Sequence, residues 1–148
     1  MPGELSIIER VEISAPPPRV WRALTTPDEL LEWYAPGCRW EIASLAPGGL
    51  VRFYNTDTDV QNAVVEEAVA PQRFVLRWEA DPKQPAWSIR NAFELAPAGT
   101  GTAVTIRQAG YESLPPDVRN QWVEQDRGAL ASIAASLKAH LEGSAAPG

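Results

Sequence analysis

Two carboxylates are the candidates for acid–base chemistry in this sequence. Glu67 shares the more apolar parity of a predicted strand, and Asp126 lies near the edge of the apolar face of a predicted helix. A carboxyl group serves as a general base when burial raises its pKa. We therefore predict both residues as candidate catalytic bases. The alternative for Glu67 is an ion pair with Arg73 or Arg90 at the rim of a sheet.

The other side chains with catalytic or metal-binding chemistry are isolated. His140 is the sole histidine, in the last turn of a predicted helix near Lys138, where we expect it to be exposed to solvent. Cys38 is the sole cysteine, and we expect an inert, partly buried thiol rather than a reactive one. The loop 56–59 (TDTD) lacks the glycine and distal glutamate of a calcium loop. The sequence thus predicts no metal site, no cofactor and no Ser–His–Asp arrangement.

Aromatic and amide side chains on the inward parities of the predicted strands and helix indicate a binding site. Asn91 and Gln108 are polar residues among apolar neighbours, and Gln125 lies near the apolar face of the final helix. The same parities direct Val65 and Val69 toward that helix. Aromatic walls with a few convergent polar groups are typical of small-molecule pockets. The predicted ligand-binding residues are Phe53, Trp78, Trp87, Asn91, Phe93, Gln108, Trp122, Gln125 and Ala129.

These residues also have a purely structural interpretation. The aromatic side chains fit a hydrophobic core, and the amides could bond to backbone groups or a buried water. The small residues beside the line Ala129–Ile133–Leu137 would then let the final helix pack closely on the sheet. A dry cavity of about 300 Å³ would cost about 7 kcal/mol. We therefore expect either collapse of the sheet onto the helix or a cavity filled by water or ligand, and the inward polar residues favour the filled cavity.

Hydrophobic periodicity predicts the elements that position these residues. Residues 5–14 alternate as a half-buried strand. Two short helices follow, one over 20–25 and one after Thr26, the predicted N-cap, that ends at Pro36-Gly37. Six further strands are predicted at 38–43, 50–55, 60–69, 73–80, 87–96 and 102–109.

A long final helix completes the pattern. It opens at 114–117 (LPPD) and continues to about Leu141, stopping at Gly143. This helix is the only element large enough to cover the sheet. The pattern therefore predicts an α+β fold in which a curved antiparallel sheet of about seven strands wraps around the final helix. Without a repeat or linker, residues 1–148 are predicted as one domain, with 143–148 as a disordered tail.

Composition limits the function classes. The net charge of −6, from 13 basic and 19 acidic residues, argues against a nucleic-acid partner. A single cysteine excludes an intrachain disulfide. The first residues do not resemble a signal peptide, and no apolar run has the length of a membrane span. We expect a cytoplasmic protein.

Five segments, in this order along the chain, resemble the family of activator-of-heat-shock-protein-ATPase homologues. They are 15–34 (APPPRVWRALTTPDELLEWY), 47–49 (PGG), 64–78 (VVEEAVAPQRFVLRW), 101–106 (GTAVTI) and 127–141 (RGALASIAASLKAHL). This family belongs to the START-like, birch-pollen-allergen-like superfamily, so the resemblance implies the helix-grip fold. Two positions depart from the family pattern: Ala129 stands where relatives often carry a Trp, and Gln108 where they often carry a His.

Three functions remain open, because the superfamily includes lipid carriers, polyketide cyclases and co-chaperone domains. The first is a non-catalytic protein that binds a small, largely hydrophobic ligand between the sheet and the final helix. The second is a cyclase- or dehydratase-type enzyme that uses Asp126 or Glu67. The third, implied by the resemblance alone, is an interaction module with a chaperone partner and a role in the stress response. A homodimer is compatible with each.

Overall fold

The structure, a computed structural model, describes residues 6–34, 39–54, 56, 58–79 and 88–143. Cys38, Trp87 and the predicted tail after Gly143 lie outside these ranges. The elements in chain order are β1 Ser6–Ile13, α1 Pro17–Thr25, α2 Pro27–Trp33, β2 Arg39–Ile42, β3 Leu50–Tyr54, β4 Val60–Val69, β5 Arg73–Glu79, β6 Ser88–Ala98, β7 Gly101–Ala109, a 3₁₀ turn Tyr111–Ser113 and α3 Pro116–Gly143.

The seven strands form one antiparallel sheet in the order β1-β7-β6-β5-β4-β3-β2. Consecutive strands from β2 to β7 pair with one another, and β1 pairs with β7 and forms one edge of the sheet. The helices lie against one face, and this face carries the hydrophobic core. The predicted α+β helix-grip fold is confirmed, and the predicted elements agree with the observed ones to within a few residues at each end.

Alternation along the strands places the core side chains as predicted in most positions. Val51 and Phe53 of β3, and Val104 and Ile106 of β7, are buried under the helices. A fully buried side chain of this kind stabilises the fold by about 1.5–3 kcal/mol. The period of two therefore sorts the inward and outward residues of these strands correctly.

A β-bulge in β4 changes this alternation. The register with β5 shifts between Val65 and Glu67, so one extra residue inverts the parity of the residues that follow. Val69 is consequently 49% exposed, and the prediction that it faces the helix is wrong. Glu67 is also exposed, and its Oε1 lies 3.4 Å from the Nε of Arg73. The structure thus gives Glu67 the rim ion pair that was its alternative prediction.

The C-terminal half of α3 is fastened to the body of the protein. Ser136 Oγ donates to the carbonyl of Trp33 at 2.6 Å. Lys138 Nζ donates to the carbonyl of Glu12, also at 2.6 Å. These bonds tie the helix to the end of α2 and to β1, the strand along which the helix backbone runs closest to the sheet.

Arg119 fastens the N-terminal end of α3. Arg119 Nε donates to the carbonyl of Tyr111 at 3.0 Å, and its Nη2 donates to the carbonyl of Leu114 at 3.0 Å. Bonds from a charged donor to backbone carbonyls are among the stronger ones in proteins. The helix is therefore anchored at both ends.

His140 is part of the C-terminal anchor, and the prediction that it is exposed is wrong. Its side chain is only 13% exposed, and its Nε2 lies 2.9 Å from Glu29 Oε1. Glu29 also accepts hydrogen bonds from Arg19 and Arg22. Burial would raise the pKa of Glu29, but the hydrogen bonds with His140 and the two arginines outweigh it and hold that pKa below its usual value.

No helix within the described ranges combines the length and apolarity that a membrane span requires.

We expect Glu29→Gln to lower the free energy of unfolding by about 1–2 kcal/mol at neutral pH, because charge-assisted bonds at the junction of α1, α2 and α3 are lost. Since the folded-state pKa of Glu29 is depressed, its contribution is present above the unfolded value of 4.5 and disappears as the pH falls through the folded value. Urea denaturation of both proteins from pH 7 to pH 3, in steps of about one unit, should show the difference shrink.

The control is Glu41→Gln, which removes an exposed carboxylate paired with Arg39 on β2. This change should cost less than about 0.5 kcal/mol. An equal loss in both variants would contradict the role given to Glu29.

Candidate functional site

A cleft of about 190 Å³ lies between the N-terminal half of α3 and the sheet. Beside it, the backbone of α3 runs closer to β1 than to β3–β6 among the described residues. The residues that line the cleft are Tyr34, Phe53, Gln61, Trp78, Glu79, Ile89, Gln108, Trp122, Asp126, Ala129, Leu130 and Ile133.

Aromatic rings form one wall of the cleft. Tyr34 packs edge-on against Phe53 with their ring centroids 5.8 Å apart. Trp40 lies behind them, 4.8 Å from Phe53 and 5.8 Å from Trp78 between centroids. Aromatic pairs in edge-to-face geometry, such as Tyr34–Phe53 and Trp40–Trp78, contribute about 0.5–1.5 kcal/mol each beyond their burial. The wall is therefore rigid and largely apolar.

A hydrogen-bonded network forms the polar part of the cleft. Asn91 Nδ2 donates to Gln108 Oε1 at 3.0 Å. Gln108 Nε2 donates to Asp126 Oδ2 at 3.0 Å and to Tyr111 Oη at 2.9 Å. The Tyr111 hydroxyl in turn donates to Asp126 Oδ2 at 2.7 Å. The observed orientation of the Gln108 amide is fixed by this network, because a flipped amide would place its oxygen against the carboxylate of Asp126.

The two tyrosines nearest Asp126 are difficult to ionise. Burial, together with the negative charge of Asp126, raises the pKa of Tyr34 from 10.0 to about 12. Burial and the hydrogen bond to Asp126 raise the pKa of Tyr111 further. Both side chains are therefore neutral hydrogen-bonding groups at physiological pH.

The structure brings together most of the predicted site residues. Phe53, Trp78, Gln108, Trp122 and Ala129 line the cleft, as does the candidate base Asp126. Gln125 is exposed and lies outside the lining. Glu67 is on the other face of the sheet.

Asn91 and Phe93 lie deeper, at a second, smaller cavity. This cavity of about 20 Å³ has room for about one water molecule. Tyr34 and Trp78 line both spaces and separate them. Trp40 also lines the smaller cavity, and its buried Nε1 has no hydrogen-bond acceptor among the described residues.

The buried stripe of α3 differs from the predicted line. Leu130, Ala134, Leu137 and Leu141 are buried, whereas Ala129 is exposed to the cleft and Ile133 is half-buried. The helix is thus rotated so that leucines seal the core and Ala129 borders the open side. The small side chain of Ala129 leaves the mouth of the cleft unobstructed.

Tyr34 of the cleft lining and Tyr111 of the network were not among the predicted site residues. Tyr111 reaches the network because Gly110 turns the chain sharply after β7 with a φ of 104°. A Cβ at Gly110 would lie 2.5 Å from the carbonyl oxygen of Ser88, so only glycine fits there. The sequence signal for Tyr111 was the Gly-Tyr pair that directly follows the last predicted strand.

Within the described residues, no three His, Cys, Asp or Glu side chains cluster as metal ligands would.

Asp126→Asn should lower the pKa of Tyr34 and of Tyr111, because it removes the negative charge that opposes formation of a phenolate. Alkaline titration of tyrosine absorbance, with far-ultraviolet circular dichroism to follow folding, measures this change. Glu124→Gln, an exposed change on the same helix, is the control and should leave the titration as it is in the parent. Identical titration of Asp126→Asn and the parent would contradict the network.

Solved structures share this fold at low sequence identity. MLL2253 from Mesorhizobium loti is 23% identical with a TM-score of 0.78, and the match covers 93% of this chain and 97% of that one. The Aha1 dimer from Colwellia psychrerythraea is 19% identical with a TM-score of 0.74, covering 93% and 96%. DynU16, from the dynemicin biosynthetic locus, is 20% identical with a TM-score of 0.75, covering 95% of this chain and 48% of DynU16. These likenesses establish the fold.

A search of curated proteins finds no match to this sequence. The family model described as "Activator of Hsp90 ATPase homolog 1-like protein" matches residues 14–142. Since this match spans most of the chain, it confirms the resemblance in the five sequence segments. The chain belongs to the family of activator of Hsp90 ATPase homolog 1-like proteins.

Proposed function

We propose that this protein binds a small, largely apolar molecule in the cleft between α3 and the sheet. The observation that carries the proposal is the combination of an aromatic wall with a polar network in one cleft of about 190 Å³. This is the composition of ordinary small-molecule sites. The volume lies below the range of about 300–1,000 Å³ for drug-sized ligands, so the ligand is small or extends out of the mouth.

The cleft is accessible from solvent. Gln61, Glu79 and Ala129 line its mouth, and all three are exposed. Water therefore fills the cleft when no ligand is bound. A ligand that buries about 100 Å² of apolar surface against the aromatic wall would gain about 2.5 kcal/mol from releasing that water.

Asp126 makes an enzyme of the cyclase or dehydratase type the second candidate. It is a half-buried carboxylate in the cleft, and Gln108 and Tyr111 hold its Oδ2 in place. A positioned carboxylate is what a general base requires. Because both donors occupy Oδ2, Oδ1 is the oxygen that would accept a substrate proton. If the protein converts a bound ligand and the variant Asp126→Asn does not, the enzyme becomes the leading candidate.

The family suggests two protein partners, which we propose on that basis alone. One is a second copy of the chain, since a structure with the same fold is an Aha1 dimer. The other is a chaperone ATPase, since the family is described by its likeness to an activator of one. Size-exclusion chromatography with light scattering tests the first, and pull-down with a chaperone ATPase tests the second.

A thermal-shift screen of small aromatic compounds and lipids tests the leading function. A ligand at 100 times its dissociation constant stabilises the protein by about 2.7 kcal/mol. For a chain of this length, that corresponds to a rise in Tm of about 5–10 °C. Absence of any hit across a chemically broad library would contradict the proposal.

Ala129→Trp should abolish the shift produced by the hits, because an indole at the mouth fills the cleft. Ala135→Trp is the matched control: Ala135 is an exposed alanine of the same helix outside the cleft lining, and its replacement should keep the shift. Equal binding by both variants would place the ligand elsewhere.

A further inference from the structure

The charged groups of the cleft have one sign. Asp126 and Glu79 both line it, and none of the described lining residues is a lysine or arginine. The whole chain has a net charge of −6, which adds to the negative potential. An anionic ligand would be repelled here, and a cationic one attracted.

Asp126 lacks a positive partner within the described part of the chain. It forms no ion pair with any described residue, although it is half-buried, and its hydrogen-bond donors are a neutral amide and a neutral phenol. Both donors bind Oδ2, so Oδ1 accepts no hydrogen bond from a described residue. A carboxylate that a bound ligand removes from bulk water is ordinarily paired with a cation. The structure thus holds a carboxylate in place for a donor that the described residues do not supply.

The remaining lining suits an organic cation. The rings of Tyr34, Phe53, Trp78 and Trp122 line the same cleft, and the face of an aromatic ring attracts an ammonium group. The Tyr34 hydroxyl makes no hydrogen bond with a described residue, which leaves its oxygen available as an acceptor. An amine attached to a small apolar body would satisfy both the carboxylate and the wall.

We propose that the ligand of the cleft is a small aromatic or branched aliphatic amine whose ammonium group lies against Asp126. This inference rests on the proposed function and gives the chemical class of the ligand. The ammonium donates to Asp126 Oδ1 and faces the rings, while the apolar body displaces water from the wall.

Three probes of nearly equal size test the charge preference. They are phenethylamine, phenethyl alcohol and phenylacetate, which are cationic, neutral and anionic at neutral pH. Isothermal titration calorimetry on the unmodified protein should give the amine an affinity about 10- to 100-fold above that of the alcohol, the range for one charge-assisted hydrogen bond. Phenylacetate should bind most weakly. The preference for the amine should shrink in about 1 M salt, where the Debye length is about 3 Å.

Asp126→Asn should remove most of the amine preference, because the amide that replaces the carboxylate carries no negative charge. Glu124→Gln, which removes an exposed charge from the same helix outside the lining, should keep the preference. Should Asp126→Asn fail to fold, the order of the three probes and its salt dependence on the unmodified protein decide the question.

Alcohol binding equal to or tighter than amine binding would overturn the inference and leave the proposed function standing. Phenylacetate as the tightest probe would do the same. Failure of all three probes while other library compounds bind would reject a small amine as the ligand, whereas failure of the whole library would reject the proposed function itself.

Discussion

The attachment of α3 at its two ends is the constraint on which the rest of this structure depends. Near the C-terminus, Ser136, Lys138 and His140 bind the carbonyl of Trp33, the carbonyl of Glu12 and the carboxylate of Glu29. Near the N-terminus, Arg119 binds backbone carbonyls around the 3₁₀ turn. Between these anchors, Leu130 and Ala134 are buried in the core and Asp126 is bonded to Gln108 of β7, while the helix backbone runs closer to β1 than to β3–β6.

The cleft has a defined polar end because a short hydrogen-bond network connects the sheet to α3. Gln108 of β7 lies between Asn91 of β6 and Asp126 of α3, and Tyr111 completes the link. The buried ends of these polar groups are satisfied by one another, which removes the cost of desolvating them. One carboxylate oxygen remains for a ligand. The same network therefore stabilises the helix position and provides the polar end of the candidate site.

The sequence predicted the fold well because the fold depends on patterns of period two and 3.6 that repeat along whole strands and helices. It predicted that Trp78 and Gln108 face α3 and that Asp126 lies near the edge of the apolar face of α3, and the structure shows all three in the cleft lining. It failed where a single residue changes the geometry. The bulge between Val65 and Glu67 leaves no periodic signal of its own, and it turned Val69 outward. The pairing of His140 with Glu29, 111 residues apart in the chain, depends on tertiary packing that no local pattern contains.

The cleft requires a separation between α3 and the aromatic wall, and nuclear Overhauser effects in solution measure that separation directly. We predict no cross-peak between the Ala129 methyl group and the rings of Phe53 or Trp78, and a cross-peak between that methyl group and water. Strong cross-peaks from Ala129 to both rings, with no cross-peak to water, would show the helix collapsed onto the sheet and the cleft closed.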